Sequence, residues 1–297
     1  MRVLIIGCGY VGLPLGAELT RRGHLVFGLR RSATVEPELR AARIEPLYAD
    51  ITQPEDLAKL PRDFDWMVNC VSSSGGGPAE YRRIYLEGMR NIMRWLAGVP
   101  VTKFVSTSST SVYGQNDGSI VTEESPTTPD SETAQVLLET EKLLLDAARR
   151  EHFPAVVLRL AGIYGPGRGY WLKRFLDGPS VTEEDRDRIL NMVHRDDVVG
   201  SIIAPLERGR AGGIYNVVDD EPARLSVLFD WLSRELKRKS PAGDETERRS
   251  SGNGGVAATR KRGATNKRVS NRKLREELGY WMKFPSFREG FAELSRR

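Results

Sequence analysis

The start of the chain constrains its fold more than any other stretch. After Arg2, Val3-Leu4-Ile5-Ile6 is an apolar run of strand length, and it enters Gly7-Cys8-Gly9-Tyr10-Val11-Gly12 without a break. Leu13 to Arg22 then carries apolar residues at helical spacing. A strand, a G-x-G-x-x-G turn and a helix in that order are the context in which such glycines hold a dinucleotide. Gly7 permits the tight turn, Gly9 lets backbone approach a pyrophosphate, and Gly12 lets the helix pack on the strand, with Tyr10 and Val11 between them. The unpaired N–H groups and dipole of the helix start suit a phosphate pair. Glycines also serve ordinary strand-to-helix turns; the flanking strand and helix favour the dinucleotide.

A second apolar strand, Leu25-Val26-Phe27-Gly28-Leu29, leads into Arg30-Arg31-Ser32. A site selecting NAD places an acid about twenty residues past the glycines, to bind the ribose 2′-hydroxyl, whereas arginine accommodates a 2′-phosphate. This chain has two arginines and a serine there and no acid, so NADP(H) is the expected cofactor and NAD the second choice. Asp50, at the end of the third strand (Ile44 to Tyr48), is counted with the cofactor residues.

The pattern then repeats. Asp65 to Val71 reads as a strand opening into a Ser/Gly loop (Ser72 to Pro78), followed by a helix over Ala79 to Leu96. Lys103 to Thr107 is a fifth strand, Glu132 to Arg149 a helix and Ala155 to Leu160 a sixth strand. Such alternation predicts an α/β fold, a doubly wound parallel sheet of Rossmann type, with ligands at the carboxyl rim of the strands. The expected dinucleotide domain is 1–164, completed by about 188–218, and the rest of 165–297 forms mainly a small C-terminal substrate-binding cap. Arg188 to Val193 reads as one short strand, and Lys239 to Arg262 as a mobile loop.

With 39% hydrophobic and 29% charged residues over 297 positions, the chain is of globular type, and no apolar run reaches membrane-spanning length. The first apolar residues belong to a strand rather than a leader, so a cytoplasmic location and no membrane partner are expected. Cys8 and Cys70 are too few for a disulfide framework or a metal cluster, and no metal is expected. Residues 234–275 are rich in lysine and arginine. They lack the aromatic interleaving and motifs of nucleic-acid binders, so the phosphates of a small molecule are the preferred partner and nucleic acid is not.

Three later stretches narrow the reading: Phe104 to Gly114 (F-V-S-T-S-S-T-S-V-Y-G), Leu158 to Arg168 (L-R-L-A-G-I-Y-G-P-G-R) and Val193 to Val198 (V-H-R-D-D-V). Their order and spacing behind the glycine turn resemble the extended short-chain dehydrogenase/reductase family, the NAD(P)-dependent sugar-nucleotide epimerases and dehydratases. The resemblance implies a redox-linked reaction, such as epimerisation, dehydration or reduction, on a sugar nucleotide or similar phosphorylated metabolite. It also implies either a homodimer through helices 79–96 and 132–149 or a monomer in which they cover one face of the sheet. Family members mostly carry G-x-x-G-x-x-G, a departure here.

The larger departure is catalytic. The family moves protons with a serine plus a tyrosine and lysine four residues apart on one helix face. Ser109 matches the serine, but Pro129 to Glu141 contains neither tyrosine nor lysine. Alignment on Glu141 places Thr133 and Leu137 at the two positions, so the chain resembles the family's atypical branch, which keeps the cofactor fold and lacks the pair. The family lysine lowers the tyrosine's pKa so that its phenol can exchange a proton. A threonine alkoxide is too basic for that at neutral pH, and leucine brings no charge.

Ser109 and Tyr113 are therefore the catalytic candidates, and Tyr164, Arg168 and His194 the substrate-binding ones. Glu123 and Glu124 are further carboxylates near the site. His194 also suits a structural role beside Arg195, Asp196 and Asp197. Two functions stay open, an enzyme and a non-catalytic NAD(P)-binding sensor or scaffold.

Overall fold

The computed structural model describes residues 1–73, 75–178, 182–237 and 265–295. Its first five strands are β1 (Arg2–Ile6), β2 (Leu25–Arg30), β3 (Glu45–Tyr48), β4 (Trp66–Asn69) and β5 (Lys103–Ser109). With Ala155–Leu160 and Ile214–Val217 they form one seven-stranded sheet. Its order is Ile214–Val217, Ala155–Leu160, β5, β4, β1, β2, β3, and every pairing is parallel. The chain winds outward from β1 in both directions, which opens a crevice at the carboxyl ends of β1 and β4.

The doubly wound order explains why β1 is apolar from Val3 to Ile6. Val3 and Ile5 face one layer with Leu15, Leu19, Val198 and Ile202, from helices Gly12–Arg21 and Arg195–Arg208. Leu4 and Ile6 face the other, with Met89, Ile92, Trp95 and Leu144, from helices Gly88–Trp95 and Glu132–Glu151. Alternating side chains of a central strand are buried on both faces, so the sequence shows a run rather than an alternation.

The predicted helix over Ala79 to Leu96 is a composite: Pro78–Tyr81, a wider π-helical turn Arg82–Glu87, then Gly88–Trp95. The predicted strand Arg188 to Val193 is two pieces. Ile189–Leu190 pairs antiparallel with Ala223–Arg224, and Met192–His194 pairs parallel with Gly162–Tyr164.

Beyond the sheet, Phe175, Leu228, Phe229, Phe287 and Phe291 join a third apolar cluster. It unites helices Tyr170–Asp177, Leu225–Glu235 and Phe287–Ser295 beside the sheet's carboxyl rim. A short strand, Arg268–Val269, pairs parallel with Ile120–Val121 and returns the late chain to the loop after β5. The expected mobile loop, Lys239 to Arg262, lies outside the described residues. No described helix is long and apolar enough to cross a membrane.

Candidate active site

A cleft of about 1470 Å³ runs along the carboxyl rim, between the sheet and the third apolar cluster. Its first wall is the glycine turn. Gly7 has φ +83°, and a Cβ there would lie 2.7 Å from the Val71 amide nitrogen, so only glycine fits. A Cβ on Gly12 would lie 2.8 Å from the Gly7 carbonyl oxygen and 3.0 Å from the Ile5 side chain. Around Gly9 the only close neighbour is a flexible one, the Arg30 guanidinium, 2.7 Å from where a Cβ would sit. Only that movable side chain covers the backbone at Gly9, and among the described residues no side chain caps helix Gly12–Arg21. These features fit a dinucleotide pyrophosphate.

Arg30 leaves the end of β2 and donates from Nη1 to the Cys8 carbonyl at 3.2 Å. Arg31, Ser32 and Asp50 continue this wall. Asp50 accepts the Thr52 amide at 2.9 Å, which fixes its carboxylate beside the rim. Burial pushes the Cys8 thiol up to about 12 and raises that of Cys70 as well, so neither is a ready nucleophile. The Tyr10 ring lies near two guanidinium groups, Arg168 at 5.2 Å and Arg195 at 5.5 Å.

The opposite wall comes from β5, the start of helix Glu132–Glu151 and the loop after Leu160. Ser109, Thr133 and Leu137 all line the cleft. The Ser109 hydroxyl accepts the Ser111 amide at 3.1 Å and begins the turn Thr110–Val112. Thr133 and Leu137 thus stand at the cleft wall, where the resemblance aligns the missing pair. Arg168 also lines the cleft, with its side chain exposed.

Three sequence candidates lie elsewhere or are differently employed. Tyr113 is fully buried and is not a cleft residue: the turn Thr110–Val112 carries its ring inward. Its hydroxyl donates to Asn216 Oδ1 at 2.9 Å and accepts from Arg159 Nη1 at 2.7 Å. Burial also raises its pKa, which opposes a role as base.

Tyr164 borders the cleft, but its ring stacks on Phe291 at 4.6 Å and its hydroxyl reaches the Ser286 carbonyl at 3.4 Å. His194 is fully buried; its Nδ1 accepts the Asp196 amide at 3.2 Å and caps helix Arg195–Arg208.

The neighbouring carboxylates are structural too. Asp197 accepts the Tyr280 hydroxyl at 2.8 Å and the amides of Lys283 and Phe284 at 2.6 and 2.9 Å. Glu123 is turned to the Asn216 amide at 2.7 Å, and Glu124 sits 3.9 Å from Lys273. His194, Asp196 and Glu293 bring ligand-type atoms within 4.8 Å of one another, with Asp196 already holding Arg195 at 2.9 Å.

Several cleft residues were not singled out from the sequence, among them Asn116, Asp130, Asn191 and one buried lysine. Lys267 is 3% exposed, and its Nζ donates to the Tyr113 carbonyl at 2.7 Å and to Thr265 Oγ1 at 2.6 Å. In sequence it is one cation among many in the basic stretch. The only signal was local, a lysine two residues before the apolar Val269.

The fold and the glycine-walled cleft define a protein of the extended short-chain dehydrogenase/reductase kind. The model of the NAD dependent epimerase/dehydratase family matches residues 3–218, and the chain belongs to that family. It is similar to Protein YeeZ of Escherichia coli, with 32% identity over 251 residues, 81% of this chain and 85% of that one. It is also similar to a 3-diazoavenalumate denitrifying reductase of Streptomyces sp, with 26% identity over 258 residues, 81% of this chain and 83% of that one. Among solved structures, a putative NAD-dependent epimerase/dehydratase from Methylobacillus flagellatus superposes with a TM-score of 0.77 at 30% identity, covering 99% of this chain and 97% of that one.

Proposed function

We propose that the protein is an NADP(H)-dependent oxidoreductase acting on a phosphorylated carbonyl or alcohol metabolite, with sugar nucleotides the leading class. The observation that carries the choice of NADP(H) is Arg30. Its guanidinium lies beside the backbone of Gly9, and Arg30-Arg31-Ser32 offers no carboxylate to a ribose 2′-hydroxyl. Gly7, Gly9, Tyr10, Val11 and Gly12 would hold the pyrophosphate, with Arg30, Arg31 and Ser32 around a 2′-phosphate and Asp50 on the same wall. A bound nicotinamide would supply or take the hydride. At the substrate end, Ser109 offers a hydroxyl and Arg168 a cation that forks onto phosphate oxygens. The reductase named among the relatives supports redox chemistry.

Calorimetric titration with NADPH and with NADH tests this reading, in the wild type and in Arg30→Ala. Tighter NADPH binding, by tenfold or more, that falls to the NADH level in the variant is the expected result. Equal affinities, or a preference for NADH, would overturn the cofactor choice. Absence of binding by either would overturn the oxidoreductase reading.

Thr133 and Leu137 at the cleft wall favour a second reading, a non-catalytic sensor that binds the cofactor alone. Turnover of any member of a panel of nucleotide-sugar substrates would exclude it. The composite helix 78–95 and helix Glu132–Glu151 are tied by Arg82 and Glu139 at 2.8 Å. We propose this pair as the homodimer surface, which sedimentation equilibrium tests.

A further inference from the structure

Lys267 is an expensive residue to bury. The two oxygens that hold its Nζ, from the Tyr113 carbonyl and the Thr265 hydroxyl, are both neutral. An ammonium buried on two neutral acceptors, with the Asp130 carboxylate offsetting only part of the cost, pays a desolvation penalty that a methionine of similar length would avoid. The segment does not depend on it for anchorage, because Arg268–Val269 already pairs with Ile120–Val121 and Asn191 binds the Lys267 carbonyl at 2.9 Å. Lys267 is nevertheless among the residues that line the cleft, as are Ser109, Asn116, Asp130, Thr133 and Asn191. An ammonium has three hydrogens to donate, and among the described residues two protein oxygens account for two.

We propose that Lys267 is the proton-carrying group of this cleft, its amine touching the reacting oxygen of the substrate in place of the family's tyrosine–lysine pair. The inference rests on the redox reading above. In the direction of reduction, the substrate's carbonyl carbon accepts a hydride from the reduced dinucleotide and the C=O π pair moves onto oxygen. Lys267 gives that oxygen a proton from its ammonium, which forms the O–H bond. The neutral amine left behind takes a proton from water. Oxidation of an alcohol runs the same steps backwards.

The surroundings suit the task. Burial lowers the Lys267 pKa from 10.5 to about 8, with Asp130 opposing the shift. A group poised there holds its proton at neutral pH and can part with it. Of the other charged groups on the neighbouring elements, Arg188 sits 3.5 Å from Asp185 and Asp117 accepts the Ser119 amide at 3.0 Å. Arg268 donates to the Gly118 carbonyl, and Glu123, beyond the paired strand Ile120–Val121, accepts the Asn216 amide.

The test uses the full chain and pyridoxal 5′-phosphate, a phosphate-bearing aldehyde, trapped on amines by borohydride and located by peptide mass spectrometry. Lys267 is expected to be labelled ahead of the surface lysines at neutral pH, with a labelling midpoint near 8. Surface lysines should follow the ordinary midpoint of about 10.4. Lys267→Met and Lys267→Arg should both lose this label while binding NADPH as the wild type does; the arginine variant retains the charge if the methionine variant fails to fold. A Lys267 that stays unlabelled while the surface lysines react would overturn the proposal. So would a midpoint near that of the surface lysines. Failure of the wild type to bind NADPH would sink the redox reading separately, whatever the label shows.

Discussion

Arg159 grips Glu141 inside the protein, with Nη2 at 2.8 Å and Nε at 3.1 Å from Oε2, and the two side chains are 4% and 2% exposed. Ser108 donates to the other carboxylate oxygen at 2.5 Å, and Arg159 Nη1 reaches Tyr113. Removing one partner strands a buried charge, which costs about 3–5 kcal/mol. Arg159→Met should therefore destabilise the protein by about that much in urea unfolding. The double variant Arg159→Met/Glu141→Leu should recover a large part of the loss.

The Tyr113 hydroxyl links Arg159 to Asn216 and takes no part in the cleft. Tyr113→Phe leaves two buried polar groups short of a partner, at a cost of about 1–3 kcal/mol. NADPH affinity should be unchanged by calorimetry. A tenfold fall in affinity would return Tyr113 to the site.

Asp197 gathers three donors from the segment 280–284 onto helix Arg195–Arg208. In Asp197→Asn one acceptor oxygen becomes an NH2 group that faces donors. A loss of about 2–4 kcal/mol is expected, as for other broken buried networks. Limited proteolysis should then cut near residue 280 first; cleavage confined to other loops would contradict the bracing role.

The lowered pKa of Lys267 has a stability consequence whose sign is fixed. The folded state releases this proton near pH 8 and the unfolded chain near 10.5, so between those values the unfolded chain binds more protons. Stability from this group therefore rises with pH across that window, and below it the penalty is fully present. The difference in unfolding free energy between the wild type and Lys267→Met should move in the wild type's favour by up to about 3 kcal/mol as pH rises through the window. A flat difference would mean that Lys267 titrates normally.

What the sequence revealed follows from how locally each feature is encoded. The apolar run of β1, the three glycines and the strand–helix alternation each form a pattern within a short stretch, even where the contacts behind it reach Val71 or helix Arg195–Arg208; these were readable. Thr133 and Leu137 were placed by register from Glu141, and a regular helix keeps that register. Tyr113 misled because a strand exit normally points along the rim, whereas the turn Thr110–Val112 rotates it toward Arg159. Nothing near Tyr113 in sequence announces that buried arginine. Lys267 was invisible for the opposite reason: a single buried cation among many exposed ones has no periodicity, and its partner Tyr113 lies 154 residues away.

The pairing of Arg268–Val269 with Ile120–Val121 sets an order of assembly. As the chain leaves the ribosome, the glycine wall can close early, from neighbours within its first seventy or so residues. The opposite end must wait for residues beyond 265 to travel back to the loop after β5. A growing chain thus holds the residues of its glycine wall long before it holds Lys267, and that corner of the cleft is completed last.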